Sequence, residues 1–194
     1  MKERKEKKRF GLIVFIVIIM IGTSFSFVFF GFSPSEDKVK YNNFLFTLDP
    51  KDKIWLVKVD NRVAAFSFLP NEVTNIMDSD DSIQKLRSKI EIDVTSDINN
   101  TFKEAIALAQ HQMSLTLEKY NIYVRKGFTT NTSFNLPVIN CKIATQNAPV
   151  VYFNQGDSTH IHSEGSCIIL EASTNADFIK VKDRLMYGIL GVIK

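Results

Sequence analysis

Catalytic signatures are what this sequence most plainly lacks. It contains no Gly-x-Ser-x-Gly elbow, no Gly-x-Gly-x-x-Gly turn, no Walker loop, no His-Glu-x-x-His and no Cys-x-x-Cys. The short motifs of hydrolases, nucleotide-binding folds, zincins and dithiol oxidoreductases are therefore absent, and no cofactor is expected. Serines, histidines and acids occur in number, but no spacing selects a dispersed triad among them.

Histidine is scarce, with three in 194 residues. His160 and His162 share one side of an expected strand, since positions i and i+2 point the same way. A zinc site needs at least three protein ligands, and the remaining histidine, His111, falls on a different element. His160 and His162 are thus the metal candidates of the chain, set against the plainer reading of an exposed polar strand face. The acidic run of residues 78–81 (Asp-Ser-Asp-Asp) begins like a calcium loop. An EF-hand requires Gly at loop position six and Glu at twelve, and Ile83 and Lys89 stand there. The run reads better as a solvated loop that caps the following helix.

Charge is missing altogether from residues 10–32. A helix of that length spans roughly 34 Å at ~1.5 Å per residue, enough to cross a hydrocarbon core of ~30 Å with some tilt. Residues 2–9 carry six positive and two negative charges, which favours a cytoplasmic N-terminus. The expected organisation is a basic cytoplasmic tail over 1–9, a transmembrane helix over 10–32, a linker over 33–40 and an extracytoplasmic domain over 41–194. A cleaved secretory signal competes with this reading, but its apolar region is ~7–15 residues long. The best cleavage site, Gly31 to Ser33, would also place Pro34 directly after the cut.

Basic surplus is equally confined. The chain holds 24 basic and 21 acidic residues, and setting aside the six and two of the tail leaves 18 against 19, a net charge of −1. The pI of 8.8 therefore comes from the topogenic tail, and nucleic acid is not an expected partner. Two cysteines permit one disulfide. Outside the cytoplasm Cys141 and Cys167 most simply pair; two buried free thiols are the alternative. Asn99 and Asn131 each head an Asn-x-Ser/Thr acceptor pattern, which places both on solvent-facing loops if they carry glycans.

What is present reads as an α+β domain. Strands are expected over 44–47, 54–59 and 62–69, the last two joined through Asp60-Asn61 as a hairpin. Short helices follow over 71–77, capped by Asn71, and over 82–88, with Ile83 and Leu86 on one face. A strand through Ile90, Ile92 and Val94, a helix with Phe102, Ile106, Ala109 and Met113 on one stripe, and a strand over 122–124 compose a βαβ unit of parallel strands. Strands over 138–141, 150–153, 158–162 and 167–170 come next, placing the two cysteines on different strands. A helix capped by Thr174 or Asn175 runs to about Ile193, with Phe178, Val181, Leu185 and Ile189 inward. The expected whole is one mixed sheet with helices on one face or both.

Residues 41–44 (Tyr-Asn-Asn-Phe), 66–73 (Phe-Ser-Phe-Leu-Pro-Asn-Glu-Val), 136–145 and the tail segments 164–171 and 183–191 resemble a family of archaeal single-pass membrane-anchored proteins with an extracytoplasmic α+β domain and no assigned activity. Glycine is frequent in that family where Asn43 stands, a difference that touches only the local turn. Two cysteine segments recur there, and the resemblance implies that Cys141 and Cys167 are structural partners. It carries over no catalytic residue. The functional expectation is a non-enzymatic, membrane-tethered interaction or envelope domain, with the bilayer and a protein or envelope component as partners. The alternatives are an extracytoplasmic ligand-binding or hydrolytic domain with a cryptic site, or an accessory subunit of a membrane complex.

Overall fold

A computed structural model describes residues 15, 16, 19, 20 and 37–193. The chain divides into two compact units, Met1–Glu36 and Asp37–Lys194. The basic tail and most of the expected anchor lie outside the described residues; Phe15, Ile16, Ile19 and Met20 are helical and exposed. Among the described residues no helix is long and apolar enough to cross a membrane.

The second unit opens with a four-stranded antiparallel meander: β1 (Lys38–Tyr41), β2 (Phe44–Leu48), β3 (Trp55–Val59) and β4 (Arg62–Phe66). Residues 38–40, expected to be linker, are thus the start of a strand, held because Val39 faces Phe46 across the ladder. The hairpin between β3 and β4 forms as the sequence predicts. Asp60 and Asn61 both adopt positive φ, 46° and 64°, the backbone that a two-residue turn between right-twisted strands requires.

Pro70 ends this sheet by starting a helix. Its fixed φ suits the first helical position, so α1 covers Pro70–Val73, one residue earlier than expected. The cap is Leu69 and not Asn71, with the Leu69 N–H donating to Glu72 at 2.7 Å. A 3-10 segment over Ser79–Leu86 follows and buries Ile83 and Leu86.

The rest is a second sheet, where the sequence predicts a single one. Strand order is β6-β5-β7-β9-β8, formed by β5 (Glu91–Ser96), β6 (Tyr123–Phe128), β7 (Val150–Gln155), β8 (His160–Glu164) and β9 (Cys167–Ala172). Only β8 runs antiparallel to its neighbour. Helix α2 (Lys103–Lys119) joins the parallel pair β5 and β6, so the βαβ unit is present. Helix α3 (Asn175–Ile189), capped by Thr174, closes the chain. It stops four residues short of Ile193 because Gly191 turns to φ 73°.

Alternation divides the five-stranded sheet into two faces. Ile92, Val94, Val151, Phe153, Ile161, Ile168 and Leu170 join the main core, which also takes in Phe46, Val57 and Phe66 of the meander. Val150, Cys167 and Ile169 face the other way and pack with Ile139 of the 129–149 loop. Helix α3 lies between the two sheets: it packs on β9, while Tyr187 stacks on Phe66 at 3.9 Å between ring centroids and meets Phe46 edge-on at 5.9 Å.

Burial of α3 on nearly every side brings polar groups inside. Lys182 and Asp183 are both buried and form a direct ion pair. The second carboxylate oxygen of Asp183 accepts the backbone N–H groups of Ser67 and Phe68, each at 2.9 Å. Tyr187 donates to the Phe68 carbonyl at 2.6 Å. These bonds latch the helix to the strand that leaves the meander, where the chain between β4 and α1 has no ladder partner of its own.

Candidate functional site

The structure brings His160 and His162 together as the i, i+2 spacing predicts. Because Ile161 enters the main core, both imidazoles project from the opposite face of the sheet. Their rings stack at 5.1 Å between centroids. Glu171, across the ladder from His160, comes within 3.6 Å of its Nε2, and Ser158 Oγ lies 3.2 Å from its Nδ1. Asn154 donates to Glu171 at 3.1 Å, and Tyr152 donates to Asn154 at 3.2 Å. A polar row thus crosses the carboxyl ends of β7 and β9. Burial raises the Tyr152 phenol above its usual value, with the negative charges of Asp97 and Glu171 adding to the shift.

Serine, histidine and carboxylate are neighbours in that row, but nucleophilic catalysis also needs aligned donors for a developing oxyanion. The Ser158 hydroxyl is exposed on the turn before β8, and its contact orients the His160 ring. His111 sits on α2, which packs against the other face. Among the described residues no three His, Cys, Asp or Glu side chains converge on one point.

Cys141 and Cys167 are bonded to each other, with Cα atoms 5.1 Å apart. Cys167 begins β9 as expected, but Cys141 opens a 3-10 turn (Cys141–Ile143) where the sequence predicts a strand. The Asn140 side chain accepts the Lys142 N–H at 3.0 Å and curls the backbone, and an isolated bridge from Phe128 to Val138 stands where the expected strand begins. The 129–149 loop is pinned to the sheet by this disulfide and by Thr95, which donates to the Ile139 carbonyl at 2.7 Å. Gly127 lets the loop approach closely, since a Cβ there would collide with the Pro137 carbonyl and Ile139. On its outer side the loop leaves Phe134, Leu136, Val138 and Ile143 exposed. Asn131 lies on the same loop and Asn99 precedes α2; both are exposed.

The acidic run at 78–81 is not simply a solvated loop. Asp78 pairs with the edge of β8 through a backbone bridge to Ile161 and accepts the Ile83 N–H at 3.3 Å. Its Oδ1 is buried without a hydrogen-bond partner. Burial raises its pKa, opposed by the Ile83 bond, by the positive charge of Arg184 and, more weakly, by the N–H and hydroxyl of Ser82. Arg184, on α3, is 8% exposed, and its Nε and Nη1 also lack partners. Burial pushes the guanidinium below its ordinary value while Asp78 and Tyr41 act against the shift.

Both residues line a cavity of about 300 Å³ between α1, the 3-10 segment and α3. Arg184 also lines a wider cleft of about 790 Å³ beside the β1–β2 turn. Arg87, on the rim of the smaller cavity, turns its Nε and Nη2 to the Gly188 carbonyl, at 2.9 and 2.7 Å. Gly188 keeps the cavity wall tight, because a Cβ there would sit 2.5 Å from Ile83 Cγ2.

Sequence reasoning reached His160, His162, Asp78 and the cysteine pair, and it missed Arg184. The one available signal was the charged triplet Lys182-Asp183-Arg184 inside an apolar helical stripe. Comparisons with protein-family models, with curated proteins and with solved structures find no match for this chain. Fold and site together define a disulfide-stapled α+β domain with a charged cleft.

Proposed function

We propose that the chain is a membrane-tethered, extracytoplasmic binding domain, non-enzymatic, held to the bilayer through residues 10–32. The observation that carries this reading is the charge-free stretch of 23 residues behind a tail of six cations and two anions. Withdrawing such a segment from lipid is costly, and the cations bar its near end from crossing. The Cys141–Cys167 bond supports placement in an oxidising compartment.

Binding is favoured over catalysis by the state of the polar groups. The Lys182–Asp183 pair, the Asp93–Arg125 pair and the Tyr152–Glu171 row are spent on bracing the fold. Four exposed apolar side chains on the stapled 129–149 loop offer a surface for a protein or envelope partner. Membership of the archaeal membrane-anchored family is part of the same proposal.

Crosslinking in native membranes followed by mass spectrometry tests it. The expected result is a reproducible partner whose crosslinks fall on residues 129–149 and diminish in Phe134→Ser/Ile143→Ser. Crosslinks absent from this loop, or unchanged in the variant, would count against the reading.

A further inference from the structure

An arginine that is more than nine-tenths buried usually spends its donors on carboxylates or carbonyls, because a desolvated guanidinium without partners is costly. Arg184 leaves Nε and Nη1 unused, although Asp78, an acid with an unused buried oxygen of its own, borders the same cavity. The two do not close into an ion pair. Each is held by its element: Asp78 by the bridge to Ile161 and the Ile83 N–H, Arg184 by a helix fixed through the Asp183 latch. The cavity is therefore bordered by one positive and one negative group, each with a buried polar atom left unpaired. Its volume, about 300 Å³, sits at the small end of ligand sites, which run from roughly 300 to 1,000 Å³.

We propose that this cavity binds a small zwitterion of the α-amino acid class, with its carboxylate on Arg184 and its ammonium on Asp78. A carboxylate supplies two acceptor oxygens to the guanidinium, and an ammonium supplies the donor that Asp78 Oδ1 lacks. An anion alone would face the Asp78 carboxylate, and a cation alone would face Arg184. Apolar walls from Ile76, Ile83 and Ile193 leave room for a short side chain. Arg87, with its Nε and Nη2 on the Gly188 carbonyl, adds positive potential at the rim. The inference rests on the cavity alone and holds on whichever side of a membrane the domain lies.

Isothermal titration of the full chain in detergent micelles with L-alanine, acetate and ethylamine separates the outcomes. L-alanine should bind saturably and at least ~10-fold more tightly than either half-ligand, since each charged hydrogen bond is worth ~1.5–3 kcal/mol. Arg184→Gln should weaken L-alanine by ~10-fold or more, and Asp78→Asn should reduce it to the level of acetate. If Arg184→Gln fails to fold, the ranking of the three probes on the unsubstituted chain still decides. Acetate binding as tightly as L-alanine would overturn the zwitterion pairing. No saturable heat at millimolar L-alanine would overturn the site, leaving water as the bridge between the two charges.

Discussion

At the scale of single residues, a few charged groups on and beside α3 are drawn away from bulk solvent. Asp183 is the clearest case. Burial raises its pKa, and the adjacent Lys182 ammonium and the N–H groups of Phe68 and Ser67 pull it back. Asp183→Asn preserves shape but leaves Lys182 buried without a counter-charge, so a loss of about 3–5 kcal/mol is expected in urea denaturation; a loss under 1 kcal/mol would mean that Lys182 finds another partner. Asp78 behaves differently, because its charge has no bonded cation. The folded chain holds its proton to higher pH than the unfolded chain, whose carboxyl titrates near 3.8. Asp78's contribution is therefore complete below that value and is lost as pH rises through the folded pKa. The stability of Asp78→Asn relative to the unsubstituted chain should grow across that window, measured by denaturation at stepped pH without added ligand. A shrinking difference would contradict the assignment.

Elements show where local sequence decides and where it does not. Gly188 joins two of them: a methyl at this position would strike Ile83, so Gly188→Ala should cost roughly 1–3 kcal/mol by overpacking, even though alanine is the better helix former. Thermal denaturation reads this directly, and a stabilised variant would show that the 3-10 segment yields. Removing the disulfide with Cys141→Ser/Cys167→Ser should cost about 2–4 kcal/mol and speed proteolysis within 129–149 ahead of the sheets. The sequence marked the elements whose signals are local. Asp60-Asn61 specified a hairpin, the 3.6-residue stripe from Phe102 to Met113 specified α2, and Thr174 specified the start of α3. It did not reveal that the strands fall into two sheets, because pairing between distant segments leaves no period in the chain. Nor did it expose the role of Arg184. A charged residue on a helix reads as solvated until the β1–β2 turn and the 3-10 segment are known to lie against that side. The strand expected at 138–141 failed for a local reason, since Asn140 bonds the backbone two residues on and curls it.

On the largest scale, the Asp37–Lys194 unit is ordered sheet, helix, sheet, with a stapled loop over the outer face of the second sheet. Such a domain can brace its own buried charges and still leave one loop and one cleft for partners. Its proposed position at a membrane rests on residues 10–32 and the charges before them. Protease treatment of intact cells that express the chain with a tag at each end tests this most directly. The account expects the C-terminal tag and the domain to be digested before lysis while an N-terminal fragment stays protected in the membrane fraction. A domain that survives until the cells are broken, or a mature chain that begins beyond Ser33 and leaves the membrane, would contradict it.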